Sequence, residues 1–282
     1  MKGFINLIKP ENMSSAKAVA IVKKRFNTPC GHMGTLDPMA SGVLPIGVGQ
    51  ASRLFDYTLD KEKTYVADFE FGYITDTLDK TGVTIKETSV TPTERAIKDV
   101  LSLFVGEIEQ VPPQYSAKCV DGKRGYQLAR KGLDFTLSAK KVTVLGFELI
   151  EQTGEKTFRF KIDCKGGTYI RSLARDLGYK LNSLATMVKL VRTKSGVFDI
   201  EHGVTPEEFI NCENPIDYLI PPENTLSFNN LVLTKDRAMR LLNGVYENYG
   251  FADGIYSVYN EKEFWGVGEV KDGILRMKSY VR

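Results

Sequence analysis

GHMGTLDPMASGVLPIGVG, residues 31–49, holds His32 and Asp37 as its only ionisable side chains, in a run of glycine, proline, small hydroxyls and aliphatics. A carboxylate is costly in apolar surroundings without a partner. Asp37 therefore reads either as a turn-forming residue or as a chemical tool. Several common uses of such a stretch drop out. Gly42 and Gly47 stand at P-loop spacing, but Val48 occupies the place of the phosphate-binding lysine. Asp37 precedes a proline, and the chain has no second similar segment that would share a proton with it, as aspartic protease chemistry requires. His32 and Asp37 are too few for a closed metal site.

The 282 residues, 42% hydrophobic and 26% charged, fit an ordinary globular protein with a sizeable core. MKGFINLIKPENMSS lacks the long apolar region and small-residue cleavage site of a secretory signal, and no apolar run approaches the roughly 20 residues that span a bilayer. A cytoplasmic location is expected. Cys30, Cys119, Cys164 and Cys212 are scattered, with no C-x-x-C pair, so reduced thiols and no metal are expected. The net charge of +3 does not announce a nucleic-acid partner, but its distribution says more. Between Tyr115 and Lys141 lie Lys118, Lys123, Arg124, Arg130, Lys131, Lys140 and Lys141, against Asp121 and Asp134, with Tyr115 and Tyr126 interleaved. That pattern suits a surface that tracks phosphates and stacks on bases, and equally a solvated basic helix face.

Residues 3–8 read as a strand, and a helix capped by Ser14 or Ser15 follows, with Val19, Val22 and Phe26 on one face. Further strands are expected at 64–71, 142–150 and 157–164, and helices at 93–103 and 170–181, with a turn-rich loop after residue 73. Strands and helices mix without a regular βαβ repeat, which argues for α+β. Residues 211–228, with Pro215, Pro221 and Pro222, read as a linker. Beyond it a short helix at 234–243 precedes three strand-like runs parted by Glu-Lys and Asp-Gly turns.

The order Gly-His-x-Gly-Thr-Leu-Asp-Pro-x-Ala-Ser-Gly resembles the catalytic motif of the TruB-type tRNA pseudouridine-55 synthases. IKPENMSSAKAV is similar to the family's amino-terminal motif, with Lys9, Pro10, Ser14 and Ser15 in place. KTYVADFEFGYITDTLDKTG resembles the strand and loop that carry its active-site tyrosine and an acidic residue, here Tyr65 and Asp79. GGTYIRSLARDLG supplies Tyr169 and Arg171, and MVKLVRTKSGVF supplies Leu190 and Arg192. These segments spread over most of the chain, in the family's order. Asn12 stands where the family has glycine, and Ser52 where threonine is common.

The resemblance implies an α+β fold: a pseudouridine-synthase-like catalytic domain at 1–228, on a mixed, largely antiparallel sheet flanked by helices, and a small mostly-β PUA-like RNA-binding domain at 229–282. It implies isomerisation of the T-loop uridine of tRNA, after base flipping, with Asp37, Tyr65 and Arg171 catalytic. His32, Lys9, Asp79, Tyr169 and Leu190, with the basic segment 115–141, would bind substrate. Neither cofactor nor metal is expected, since the reaction exchanges a C–N for a C–C bond without net oxidation or hydrolysis. A monomer acting on the tRNA T-arm without membrane, protein partner or guide RNA is expected. A guide-dependent synthase and an RNA-refolding module are the alternatives, and a tRNA-folding role is compatible with catalysis.

Overall fold

The computed structural model describes residues 1–58, 62–115, 119–120, 123–124, 137–246, 248 and 250–281. The chain divides into two compact units, one of residues 1–38, 42–61 and 195–282, the other of 39–41 and 62–194.

The first unit opens on β1 (Gly3–Lys9), nearly all buried. α1 (Ser15–Phe26) follows because the Ser14 side chain accepts from the amide of Lys17, and Lys23, Lys24 and Arg25 complement the negative end of the helix dipole. Asn12 turns the chain before it at φ 62, a left-handed conformation that asparagine tolerates. β2 (Cys30–His32) and β3 (Ser41–Val48) come next, and β3 pairs antiparallel with both β1 and β2.

The second unit contains β4 (Lys63–Phe71), β5 (Tyr73–Thr75), β6 (Thr84–Glu87), α2 (Glu94–Leu101), β7 (Gly106–Gln110), β8 (Cys119–Val120), β9 (Lys123–Arg124), β10 (Lys140–Gln152), β11 (Thr157–Cys164), α3 (Ile170–Lys180) and β12 (Ala185–Ser195). Its main sheet runs β12-β4-β11-β10-β7, antiparallel from β4 to β7. Phe69, Phe147 and Phe160 pack together in it, Phe147 edge-on to both of the others, with Phe69 and Phe160 centroids 4.8 Å apart. α2, capped by Thr93, packs on β10.

The chain then re-enters the first unit through β13 (Phe198–Asp199) and α4 (Pro206–Asn211), which a Thr205–Glu208 capping box starts. The proline-rich stretch expected to be a linker is pinned in place. Its Ile220 exchanges both backbone hydrogen bonds with Phe4 of β1, at 2.8 Å each. β14 (Asn229–Leu233), α5 (Lys235–Leu242), β15 (Gly254–Asn260), β16 (Glu263–Lys271) and β17 (Ile274–Tyr280) complete the chain, with strand order β14-β15-β16-β17. The β14–β15 pair is parallel and the other two are antiparallel. Leu231, Leu233, Ala238, Leu241, Val258 and Leu275 form a small core inside this region. Phe264, Val267 and Val281 instead pack with Phe4, Val43, Ala51 and Leu54. No helix among the described residues is long and apolar enough to cross a membrane.

Candidate active site

In the first unit Asp37, half-buried, lies on the loop between β2 and β3, and both of its neighbours are clamped. On one side the buried Ser15 hydroxyl donates to the carbonyl of Leu36 at 2.9 Å and accepts from the Leu36 amide at 3.0 Å. On the other side the Pro38 carbonyl accepts from the Asn12 amide at 2.8 Å and from Lys9 Nζ at 3.4 Å. The amino-terminal motif thus holds the aspartate loop from the turn between β1 and α1. Lys9, expected to bind substrate, reaches this loop from the end of β1. It is fully buried, and its ammonium donates also to the carbonyls of Pro10 at 2.9 Å and Met13 at 2.8 Å. These carbonyls hold the Lys9 ammonium against the aspartate loop. His32, half-buried, is on β2 opposite Ile46.

In the second unit Tyr65 sits on β4 opposite Ile162 and is 7% exposed. Leu190 is buried on β12. Tyr169 is the residue before α3, and Arg171 lies in the helix's first turn, 5% exposed. A guanidinium so buried needs acceptors. Nη1 donates to the Thr77 carbonyl at 2.9 Å and lies 3.4 Å from a carboxylate oxygen of Asp79, and Nη2 donates to the Tyr115 carbonyl at 3.1 Å.

Asp79, expected to bind substrate, sits beside that guanidinium. It is 4% exposed, and its other carboxylate oxygen accepts from the hydroxyls of Thr77 and Thr81 and the amide of Thr81. It serves the arginine and its own loop. That loop is tied to β12, since the Met187 amide donates to the Leu78 carbonyl and Lys80 donates to that of Met187. Leu78 sits at φ 61, unusual for a bulky side chain, and its packing against Ile74 and Leu184 holds it there.

At the foot of the same sheet, burial and the charge of Arg192 push the Lys63 ammonium down to about 8, and burial pushes the Cys164 thiol up to about 11. Cys30, Cys164 and Cys212 are free thiols, and no cluster of metal-ligating side chains occurs among the described residues. Lys118, Arg130 and Lys131 lie outside the described residues, as do the side chains of Lys123 and Arg124. Lys141, at the edge of the same basic run, pairs with Glu107 at 2.7 Å. Sequence reasoning assigned no role to Thr77, Thr81 or Gln110, whose short polar side chains carry no signal until the fold supplies their partners.

Comparison with known proteins places these elements. The TruB family pseudouridylate synthase (N terminal domain) pattern matches residues 23–170, which include Asp37, Tyr65, Asp79 and Tyr169. The tRNA pseudouridine synthase B of Clostridium tetani (strain Massachusetts / E88) is 39% identical over 298 aligned positions, covering 100% of each chain. That of Aquifex aeolicus (strain VF5) is 36% identical and covers 99% of each. Among solved structures, one chain of a Cbf5-Nop10-Gar1 complex is similar at a TM-score of 0.71 and 26% identity, covering 98% of this chain and 79% of that one. The likeness runs past residue 170 through Arg171, Leu190 and the carboxyl-terminal sheet, and the chain belongs to the TruB family of pseudouridylate synthases.

Proposed function

We propose that this chain isomerises a uridine in the T-arm of tRNA, at position 55, to pseudouridine, with Asp37 as the carboxylate that meets the sugar–base junction. The observation that supports this most directly is the two-sided clamp on Leu36 and Pro38, which presents one half-buried carboxylate in a fixed loop. Family membership supplies the reaction. The C1′–N1 bond breaks, the uracil turns, C1′ bonds to C5, the C5 proton leaves, and N1 gains a proton. Atoms balance without oxidant or water, so the proposal needs neither cofactor nor metal.

The target base leaves its stack at a cost of about a few kcal/mol. His32 fills the vacated space, Tyr169 and Leu190 line the pocket, and Tyr65 stacks on the base. Arg171 is the buried guanidinium of the catalytic set, held by the Thr77 and Tyr115 carbonyls beside Asp79. In this reading residues 1–228 carry catalysis, the basic run from 115 to 141 tracks the tRNA backbone, and 229–282 adds grip. The enzyme acts as a cytoplasmic monomer, without guide RNA or protein partner.

Tritium release from C5-labelled uridine in a tRNA transcript tests this. The purified chain alone should release the label, and Asp37→Asn should abolish release while still binding tRNA. A near wild-type rate for Asp37→Asn would falsify the assignment. Arg171→Met should lower the rate of tritium release with tRNA affinity little changed; a near wild-type rate would remove Arg171 from the catalytic set.

A further inference from the structure

β7 ends on Gln110, which is 1% exposed although its amide carries both donors and an acceptor. Both kinds of group are used on one residue. Nε2 donates to the Tyr169 carbonyl at 3.1 Å, and Oε1 accepts from the Tyr169 amide at 2.8 Å. Tyr169 is extended, at φ −100 and ψ 111. In that conformation the N–H and C=O of one residue point to the same side, and a primary amide matches them as a neighbouring strand would. Asparagine carries the same group one methylene short, and an ionised glutamate offers two acceptors and no donor.

What the amide grips is the residue before α3, which has no side-chain cap of its own. The next residues of the same segment continue the attachment. The Val111 carbonyl accepts from Ser172 Oγ at 2.9 Å and Arg175 Nη2 at 3.0 Å, and the Tyr115 carbonyl accepts from Arg171. Residues 110–115 thus form a collar around the start of the helix that carries Tyr169 and Arg171.

We propose that Gln110 is a positioning residue for the isomerisation. It fixes the backbone of Tyr169 and, through it, the Tyr169 ring and the Arg171 guanidinium, without touching the nucleotide. The inference rests on the reaction proposed above. Small displacements of groups around a reacting centre cost rate more than they cost binding.

The test is single-turnover tritium release from C5-labelled tRNA at saturating enzyme, with tRNA affinity by filter binding and the thermal midpoint measured beside it. Gln110→Ala and Gln110→Asn should each lose about tenfold or more in rate, while affinity stays within about threefold. Gln110→Glu separates positioning from general loosening. Protonated, its carboxylic acid regains one donor and one acceptor and should recover rate; ionised, it repels the Tyr169 carbonyl. Its rate relative to wild type should rise as pH falls from about 8 to about 5.5, because burial raises a carboxyl's pKa into that range.

A Gln110→Ala rate within about twofold of wild type would overturn the proposal. So would a rate loss matched by an equal loss of affinity, or a Gln110→Glu to wild-type ratio as low as that of Gln110→Ala at every pH. Tritium release by the wild-type chain distinguishes these failures from failure of the reaction itself.

Discussion

Ser15 satisfies the amide and the carbonyl of Leu36 with a single hydroxyl, and the next residue is Asp37. Removing that hydroxyl strands two buried backbone groups, each costing about 1–3 kcal/mol. Ser15→Ala should therefore unfold at lower urea and release tritium more slowly, with tRNA affinity little changed. An unchanged urea midpoint would mean the loop is held elsewhere. The sequence offered Ser14 and Ser15 as interchangeable helix caps, because both are good ones. Only the fold separates them: Ser14 caps α1, and Ser15 turns inward to the aspartate loop. Asn12 was readable in advance, since its left-handed turn follows from its own side chain. Leu78 was not, because nothing local makes a leucine adopt φ 61; its neighbours in space do.

Among the elements, β4, β10, β11 and α3 were legible because alternation and helical periodicity report which face is buried. β3 was not. SGVLPIGV contains two glycines and Pro45, the residues that usually punctuate chains, and no strand was expected there. Seven of its eight residues are nevertheless buried, and the Pro45 carbonyl accepts from the Met33 amide at 2.9 Å. Lys63, at the start of β4, carries a prediction about the sheet. It lies opposite Cys164 of β11 and feels Arg192 of β12. Its pKa is about 8 in the folded chain, below the unfolded value, so the unfolded state binds more protons between the two. The penalty for holding this lysine charged is complete below about pH 8 and fades as pH rises towards its unfolded value. Lys63→Met should raise the thermal midpoint at neutral pH, and its advantage should shrink by about pH 10. An advantage independent of pH would assign the effect to packing and not to charge.

At the scale of the molecule, composition drew a border at residue 228, and a separate sheet does begin at Asn229. The compact unit ignores that border, because it joins 195–282 to the amino-terminal residues. Phe264, Val267 and Val281 share a core with Phe4, Val43, Ala51 and Leu54, while Lys2 Nζ donates to the carbonyls of Phe264 at 2.9 Å and Val281 at 2.7 Å. No sequence pattern announces such a core, since Phe264, Val267 and Val281 lie more than 200 positions from Phe4, Val43, Ala51 and Leu54 and each obeys only its own local pattern. A chain ending at residue 228 would present the apolar faces of Phe4, Val43 and Leu54 to water. It should melt well below the full chain, and weakened tRNA binding by the fragment would then report folding and not lost contacts. Phe264→Ala in the full chain makes the same cut with less damage. Its ring is 3% exposed, and truncating a buried phenylalanine costs about 3–5 kcal/mol. If β16 supports the aspartate-bearing unit in this way, the substitution should lower the midpoint of a single cooperative transition followed by circular dichroism. Two separated transitions, with the second at the wild-type midpoint, would instead make 229–282 an independent attachment.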